Sequence, residues 1–280
     1  MGEEAITDQE YNKFTEFFYR KTGIKFDSSK RYFVDKRVLE RIRTTDSENF
    51  RQYFTMLRFQ ASGEELQLLT NLLTVNETYF MREDYQFRCL VDSVLPDIVT
   101  RHDPKRPIRI WCIPSSSGEE PYSIAMYLLE EWGGIEQWDV ELIASDIDTR
   151  ILDTAKRGIY SERSVRNVPA IWKRRYFTDV PEGQQISQDI RDAVEFTRVN
   201  LSEPSDVRAI RNIDVIFCRN LLIYFDDLSR KIAAEYMFES MTPGGYICLG
   251  HTESMGRISP LYRVKKFPEA IVYQKPLEKK

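Results

Sequence analysis

The chain has 280 residues, is 42% hydrophobic and 30% charged, and carries a net charge of −4, a composition that excludes low-complexity and disordered classes and suits one large domain or a medium domain plus a small one. No apolar run approaches the roughly 20 residues of a membrane helix. The acidic start, "MGEEAITDQEY", has no signal-peptide core, and Ile6 stands where myristoylation needs Ser or Thr, so a cytoplasmic protein without membrane insertion is expected.

The first 73 residues read as a small all-helical domain. "DQEYNKFTEFFYRKTG" has helical apolar spacing and ends at Gly23. "SSKRYFVDKRVLERIRTT" follows, with Ser28 or Ser29 as its N-cap, then "SENFRQYFTMLR" and "SGEELQLLTNLLT". From Arg20 to Arg58 there are eleven Lys/Arg against five Asp/Glu, a local +6 that leaves −10 for the remainder. A basic block on an acidic protein points to an acidic partner, protein or nucleic acid. Lys30, Arg37 and Arg41 fall in one narrow stripe of the second helix.

Residues 74–90 read as a linker, "TVNETYFMRE", and the start of the helix "DYQFRCLVDSVLPDIVTRH". From 91 to 280 strands and helices alternate: "IRIWCI", "EPYSIAMYLLEEW", "DVELIASDID", "DTRILDTAKRG", "IDVIFCRN", "SRKIAAEYMFESM" and "PGGYICLGH", closed by a strand pair in "YRVKKFPEAIVYQK". This order predicts an α/β fold with a doubly wound, mostly parallel sheet. Residues at about 176–200 do not fit a simple crossover and read as a small antiparallel β insertion. Cys89, Cys112, Cys218 and Cys248 are scattered and read as buried free thiols. His102 and His251 lie far apart, which argues against a histidine-based metal site or catalytic triad.

In an open α/β sheet the ligand sits beyond the C-terminal strand ends. There the sequence places "PSSSGEEPYS", then Asp146 and Asp148, then Arg219, Asn220 and Tyr224. Gly118 permits close backbone approach and Pro121 suits a first helical turn. The glycine-rich dinucleotide fingerprint is absent, and a glutamate pair, Glu119 and Glu120, would repel phosphate. Carboxylates suit a cationic ligand with a ribose, and S-adenosylmethionine has an ammonium, a sulfonium and a ribose but no phosphate. Other roles stay open at this point: the glutamates favour a helix N-terminus whatever the ligand, and Asp146 is a candidate N-cap.

The blocks "LLTVNETYFMRE", "SSSGEEPYSIAM", "ASDIDTRILDTAKRGIY", "VNL", "IFCRNLLIYFD" and "GGYICLGHTES" together resemble the chemotaxis receptor methyltransferases, the CheR-type family, in order and over nearly the whole chain. The resemblance implies an S-adenosylmethionine-dependent protein-glutamate O-methyltransferase, with S-adenosylhomocysteine as product, acting on the cytoplasmic signalling domain of methyl-accepting chemotaxis receptors. It implies that Asn76, Thr78 and Arg82 close over the cofactor, Glu120 holds the ammonium and Asp146 the ribose. Asn200 and Leu201 would flank the adenine, Arg219 and Asn220 complete the pocket, and Arg82 and Tyr224 face the reacting centre. The stripe Lys30, Arg37 and Arg41 would dock the acidic receptor bundle. Some members bind a receptor C-terminal peptide on an inserted β-subdomain; the short tip "TDVPEGQQISQD" gives little support for that here. A monomer that binds no nucleic acid is expected. The competing readings are a nucleic-acid methyltransferase, although "CRNLLIY" is not the N-P-P-[YF] type, and a cofactor-binding sensor or scaffold.

Overall fold

The computed structural model describes residues 5–277; the first residues of the acidic start and the last three of the chain lie outside the described residues. Four helices open the chain: α1 (Asp8–Thr22), α2 (Arg31–Thr44), α3 (Phe50–Phe59) and α4 (Glu64–Leu73). Helix α1 begins with a capping box between Thr7 and Glu10 and stops at Gly23, which is left-handed at φ 73°. Helix α2 corrects an expectation. Asp27, not Ser28 or Ser29, caps the turn that leads into it, accepting the Ser29 N–H at 2.9 Å, because its longer acceptor reaches the first free amide. Phe14, Phe18, Val38, Tyr53 and Leu69 form a separate core for this bundle.

The next helix is interrupted. Between α5 (Tyr85–Cys89) and α6 (Leu95–Val99) lies one π-helical turn, Leu90–Val94. Pro96 lacks an N–H and its ring crowds the preceding turn, which the wider turn relieves.

The α/β region then runs β1 (Ile108–Cys112), α7 (Glu119–Glu131), β2 (Val140–Asp146), α8 (Thr149–Arg157), β3 (Ile159–Tyr160), α9 (Glu162–Val165), α10 (Ala170–Tyr176), β4 (Phe177–Val180), β5 (Gly183–Ile186) and α11 (Gln188–Asp192). It continues with β6 (Val194–Arg198), α12 (Pro204–Arg208), β7 (Ile213–Cys218), α13 (Asp227–Ser240), β8 (Met241–Leu249), α14 (Met255–Ile258), β9 (Arg263–Lys266) and β10 (Ile271–Gln274). The main sheet has seven strands in the order β6-β2-β1-β7-β8-β10-β9, parallel from β6 to β8 and antiparallel at β10 and β9. Strand β1 shows why both faces are covered. Ile108, Ile110 and Cys112 enter one core with α7, while Trp111 and Ile113 enter the other with α13. All four cysteines are buried and free.

The insertion overlaps the expected span but both begins and ends earlier in the chain. Strands β3, β5 and β4 make a three-stranded antiparallel sheet between residues 159 and 186, with β4 and β5 joined through Pro181 and Glu182. Residues 194–198, which the sequence reading placed inside the insertion, are β6, paired in parallel with β2 from Leu142↔Val194 to Asp146↔Arg198. The long excursion before it hides its place in the main sheet. The consequence is functional, since Val199, Asn200 and Leu201 leave β6 directly into the crevice.

The helical domain is fastened to the α/β domain at two places. Asn71 donates to Thr149 Oγ1 at 2.9 Å and accepts the Thr149 N–H at 3.1 Å, while Gln67 donates to the Ile147 carbonyl at 2.8 Å. At the other end Ile24 and Phe225 form an antiparallel bridge, Lys25 N–H donates to the Tyr224 carbonyl at 3.2 Å, and Tyr19 donates to Asp226 at 3.0 Å.

Candidate active site

Between these two fasteners, over the C-terminal ends of β1, β2 and β7, lies a cavity of about 490 Å³. Its floor begins at the loop after β1. Ser116 is left-handed (φ 48°), and Gly118 (φ 96°) lets α7 start tight against its neighbours: a Cβ there would meet the Tyr122 ring at 2.9 Å and Ala155 and Tyr160 at 3.1 Å. The turn aims the Ser116 N–H at Asp146 Oδ2 (2.9 Å), and Asp148 N–H donates to Oδ1 at 2.9 Å. Asp146 is 3% exposed, and burial raises its carboxyl to about 6 against the pull of those amides. Each oxygen retains acceptor capacity for a ribose hydroxyl.

Asp146 is not an N-cap. That role falls to Asp148, whose Oδ1 accepts from Ile151 N–H at 3.0 Å. Its Oδ2 accepts from Thr74 at 2.7 Å and Asn76 at 2.8 Å, so a fully buried carboxylate anchors the linker. The Asn76 amide nitrogen is thus spent on the protein, and Asn76 lines the cavity beside Thr78.

The glutamate pair divides. Glu119 is buried away from the cavity, accepting from Ser117 at 2.6 Å and Ser164 at 2.9 Å. Glu120 lines the cavity and takes Arg219 Nη1 on Oε2 at 2.8 Å; its Oε1 is buried and has no hydrogen-bond partner among the described residues. Burial raises the Glu120 carboxyl to about 7, with the Arg219 guanidinium pulling the other way. Arg219, its side chain 2% exposed, also leaves Nε without a partner among the described residues. Its guanidinium lies 5.3 Å from the Phe87 ring centroid. Beside it Asn220 is left-handed (φ 58°), held by its N–H on Glu253 at 2.8 Å.

The structure brings Asn76, Thr78, Arg82, Glu120, Asp146, Asn200, Leu201, Arg219, Asn220 and Tyr224 to this cavity. Asn200 also ties domains together, donating to the Lys21 carbonyl at 2.7 Å. Arg82 folds back over its own linker, donating to the Glu77 carbonyl at 3.0 Å. Tyr224 is 37% exposed at the rim, and partial burial raises its phenol, so it stays a donor near neutral pH.

The basic stripe does not survive as one surface. Arg41 is turned inward and grips Glu65 at two points, 2.9 and 2.7 Å, with Tyr53 on the same carboxylate at 2.8 Å. Arg37 is half-buried over the Phe33 ring, 5.3 Å from its centroid, and faces the Leu72 carbonyl. Lys30 is exposed and lines the cavity mouth with Lys25, which the sequence reading did not single out. Spacing put three cations on a stripe, but packing against α3 and α4 decides which of them water sees.

The cavity is walled by the linker between the helical bundle and the sheet, and the comparisons divide the chain at the same place. Residues 9–74 match the model described as CheR methyltransferase, all-alpha domain, and residues 76–271 the one described as CheR methyltransferase, SAM binding domain. The chain belongs to the CheR methyltransferase family. It is 56% identical over 99% of its length to "Chemotaxis protein methyltransferase 2" of Vibrio cholerae, covering 96% of that protein. It is 38% identical over 92% of its length to a protein of the same name from Pseudomonas aeruginosa, covering 90% of that one. This CheR-type chain is an S-adenosylmethionine-dependent methyltransferase of chemotaxis. The two partnerless atoms fit that cofactor, since a methionine moiety brings an ammonium for Glu120 Oε1 and a carboxylate for Arg219 Nε.

Proposed function

We propose that this CheR-family enzyme methylates glutamate side-chain carboxylates on the cytoplasmic signalling domain of chemoreceptors, forming methyl esters that serve adaptation. The observation that carries the reading is one cavity with an acidic interior and a cationic mouth: Glu120 and Asp146 inside, Lys25, Lys30 and Arg82 towards the opening. The inner carboxylates suit a cation with a ribose. The outer cations suit an incoming carboxylate.

When bound, S-adenosylmethionine supplies a methyl on a sulfonium, whose C–S bond pair goes to sulfur as a carboxylate oxygen forms the C–O bond. The chain's part is placement. A glutamate carboxyl has a reference pKa of about 4.3, so the acceptor arrives ionised and no base has to act on it. Arg82 and the Tyr224 hydroxyl are suited to orient it, as donors that line the same cavity. Glu120, Asp146 and Asn200 would hold the donor still. Cytoplasmic action follows from the same reading, because the proposed substrate domain is cytoplasmic.

The test is transfer of labelled methyl to receptor-containing membranes, with label released as methanol by mild base. Binding of the cofactor without transfer would favour a sensor or scaffold. Salt-sensitive retention on RNA or DNA, with label in the nucleic acid, would favour the other enzyme class.

A further inference from the structure

Glu83 does not line the cavity, yet three segments converge on its carboxylate. Oε2 lies 3.3 Å from Arg219 Nη2, at the end of β7, and accepts from Gln86 Nε2 at 3.0 Å. Oε1 lies 2.8 Å from His251 Nδ1, just after β8. Burial alone would raise its carboxyl, but Arg219 and His251 together hold it below the usual carboxylate range. The backbone is strained for this placement: Met81 (φ 61°) and Glu83 (φ 55°) are both left-handed without being glycine.

The Arg219 guanidinium therefore sits between two carboxylates. Nη2 is taken by Glu83 and the Arg82 carbonyl, so the fork is turned and only Nη1 meets Glu120. The same protein shows the alternative. Arg41 meets Glu65 through Nε and Nη2, and both carboxylate oxygens are consumed. A fork with two free edges prefers that two-point grip. At the active site the donor that would complete it beside Nη1 is Nη2, which Glu83 and the Arg82 carbonyl hold. The acceptor that would complete it, Glu120 Oε1, is left without a partner among the described residues, as are Arg219 Nε and Ser115 Oγ.

We propose that Glu83 is a positioning residue: it holds Arg219 away from a two-point grip on Glu120 and so reserves one Glu120 oxygen for the cofactor's ammonium. This rests on the assignment of Glu120 to that ammonium. The left-handed linker is then the means of delivery, because the chain that carries Asn76, Thr78 and Arg82 over the cofactor also carries the carboxylate that sets the site's charge.

The substitution Glu83→Gln removes the charge and keeps the shape. Two ligands read it by calorimetry: S-adenosylhomocysteine, which has the ammonium, and 5′-methylthioadenosine, which shares the adenosine and thioether but has no amino-acid group. Affinity for the first should fall by about tenfold or more, as when one charge-assisted hydrogen bond is removed, while affinity for the second stays at the parent value. Loss of both alike, as a merely structural residue would give, or loss of neither overturns the proposal. Glu120→Gln is the control. If it leaves S-adenosylhomocysteine affinity intact, the ammonium assignment is wrong and the proposal falls with it. If it weakens that affinity and Glu83→Gln does not, only the proposal falls. Should Glu83→Gln not fold, Glu83→Asp keeps the charge with a shorter reach. The ratio of the two affinities should then shift by about threefold, and an unchanged ratio overturns the proposal.

Discussion

Asp146 is a carboxylate that the fold keeps uncomfortable. Burial raises it to about 6, from an ordinary value near 3.8. The charged form is therefore disfavoured in the folded protein, and that cost is fully present above pH 6 and relieved as pH falls from 6 towards 4. From this group alone the ligand-free protein should be more stable near pH 5 than near pH 7 by about 1 kcal/mol, part of a full cost of about 3 kcal/mol. Ribose hydroxyls donating to the carboxylate favour its charged form, so affinity should run the other way. Calorimetry with S-adenosylhomocysteine should show binding that weakens as pH drops through about 6, and Asp146→Ala should cost at least tenfold at neutral pH, or roughly 1.5–3 kcal/mol. Equal affinity in parent and variant would remove Asp146 from the ribose site. Arg82 is a different kind of residue: half-exposed, making one side-chain hydrogen bond to a neighbouring carbonyl and stacking on Tyr79. Arg82→Ala should leave the melting temperature nearly unchanged and slow single-turnover methyl transfer by about 100-fold, since removing a donor aimed at a reacting centre costs about 2.7–4 kcal/mol. Lysine should restore part of the rate, lacking the planar fork. Early melting, or transfer at the parent rate, would make Arg82 structural or idle.

Helix α2 shows how far a helical period can be read. The spacing of Lys30, Arg37 and Arg41 is a true stripe on an isolated helix, but Lys30 lies in the tight turn Ser28–Lys30 before α2, and α2 packs against α3 and α4, and that packing claims Arg41. Breaking a buried ion pair by removing one partner leaves the other charge stranded, so Arg41→Ala should destabilise by about 3–5 kcal/mol and show as a lower melting temperature. Lys30→Glu should leave stability alone and weaken receptor methylation, most at low salt. If the two variants behave alike in both assays, the division drawn between them is wrong. The same limit explains what the sequence revealed of the rest. Local signals were strong where the chain's own chemistry decides, as at Gly23, at Gly118 and in the apolar run of β1. They were weak where a distant segment decides. Strand β6 looked like part of an insertion because its partner β2 lies far earlier in the chain, and Asp148 gave no sign of its hold on Thr74 and Asn76, which lie 74 and 72 residues earlier. Glu83 gave no signal, since a glutamate in a linker is ordinary until Arg219 and His251 are beside it.

The whole molecule is a clamp. The cavity has one wall from each domain, so cofactor affinity and domain docking must be linked. The α4 fastener is polar and compact: Asn71 makes both bonds to Thr149, Gln67 bonds Asn71 and Ile147, and Arg150 bonds the Asn71 carbonyl. Asn71 does not line the cavity, which makes it a clean handle on docking. A ligand held by both walls stabilises the docked form, by about 2.7 kcal/mol when present at a hundred times its Kd. In the parent, S-adenosylhomocysteine should therefore raise a single melting transition that includes both domains. Asn71→Ala leaves the Thr149 N–H unpaired and frees residues 74–78, which wall the cavity, from the α4 anchor. Losing two or three buried hydrogen bonds, at about 1 kcal/mol each, should weaken product binding severalfold and broaden or split the melt as the helical bundle comes away first. Excess ligand should bring the two transitions back together. A variant that melts in one step, with parent affinity and the parent ligand shift, would mean that the other ties, at Ile24–Phe225, from Asn200 to Lys21 and from Asp148 to Thr74 and Asn76, hold the clamp and that the Asn71 bonds are incidental to the site.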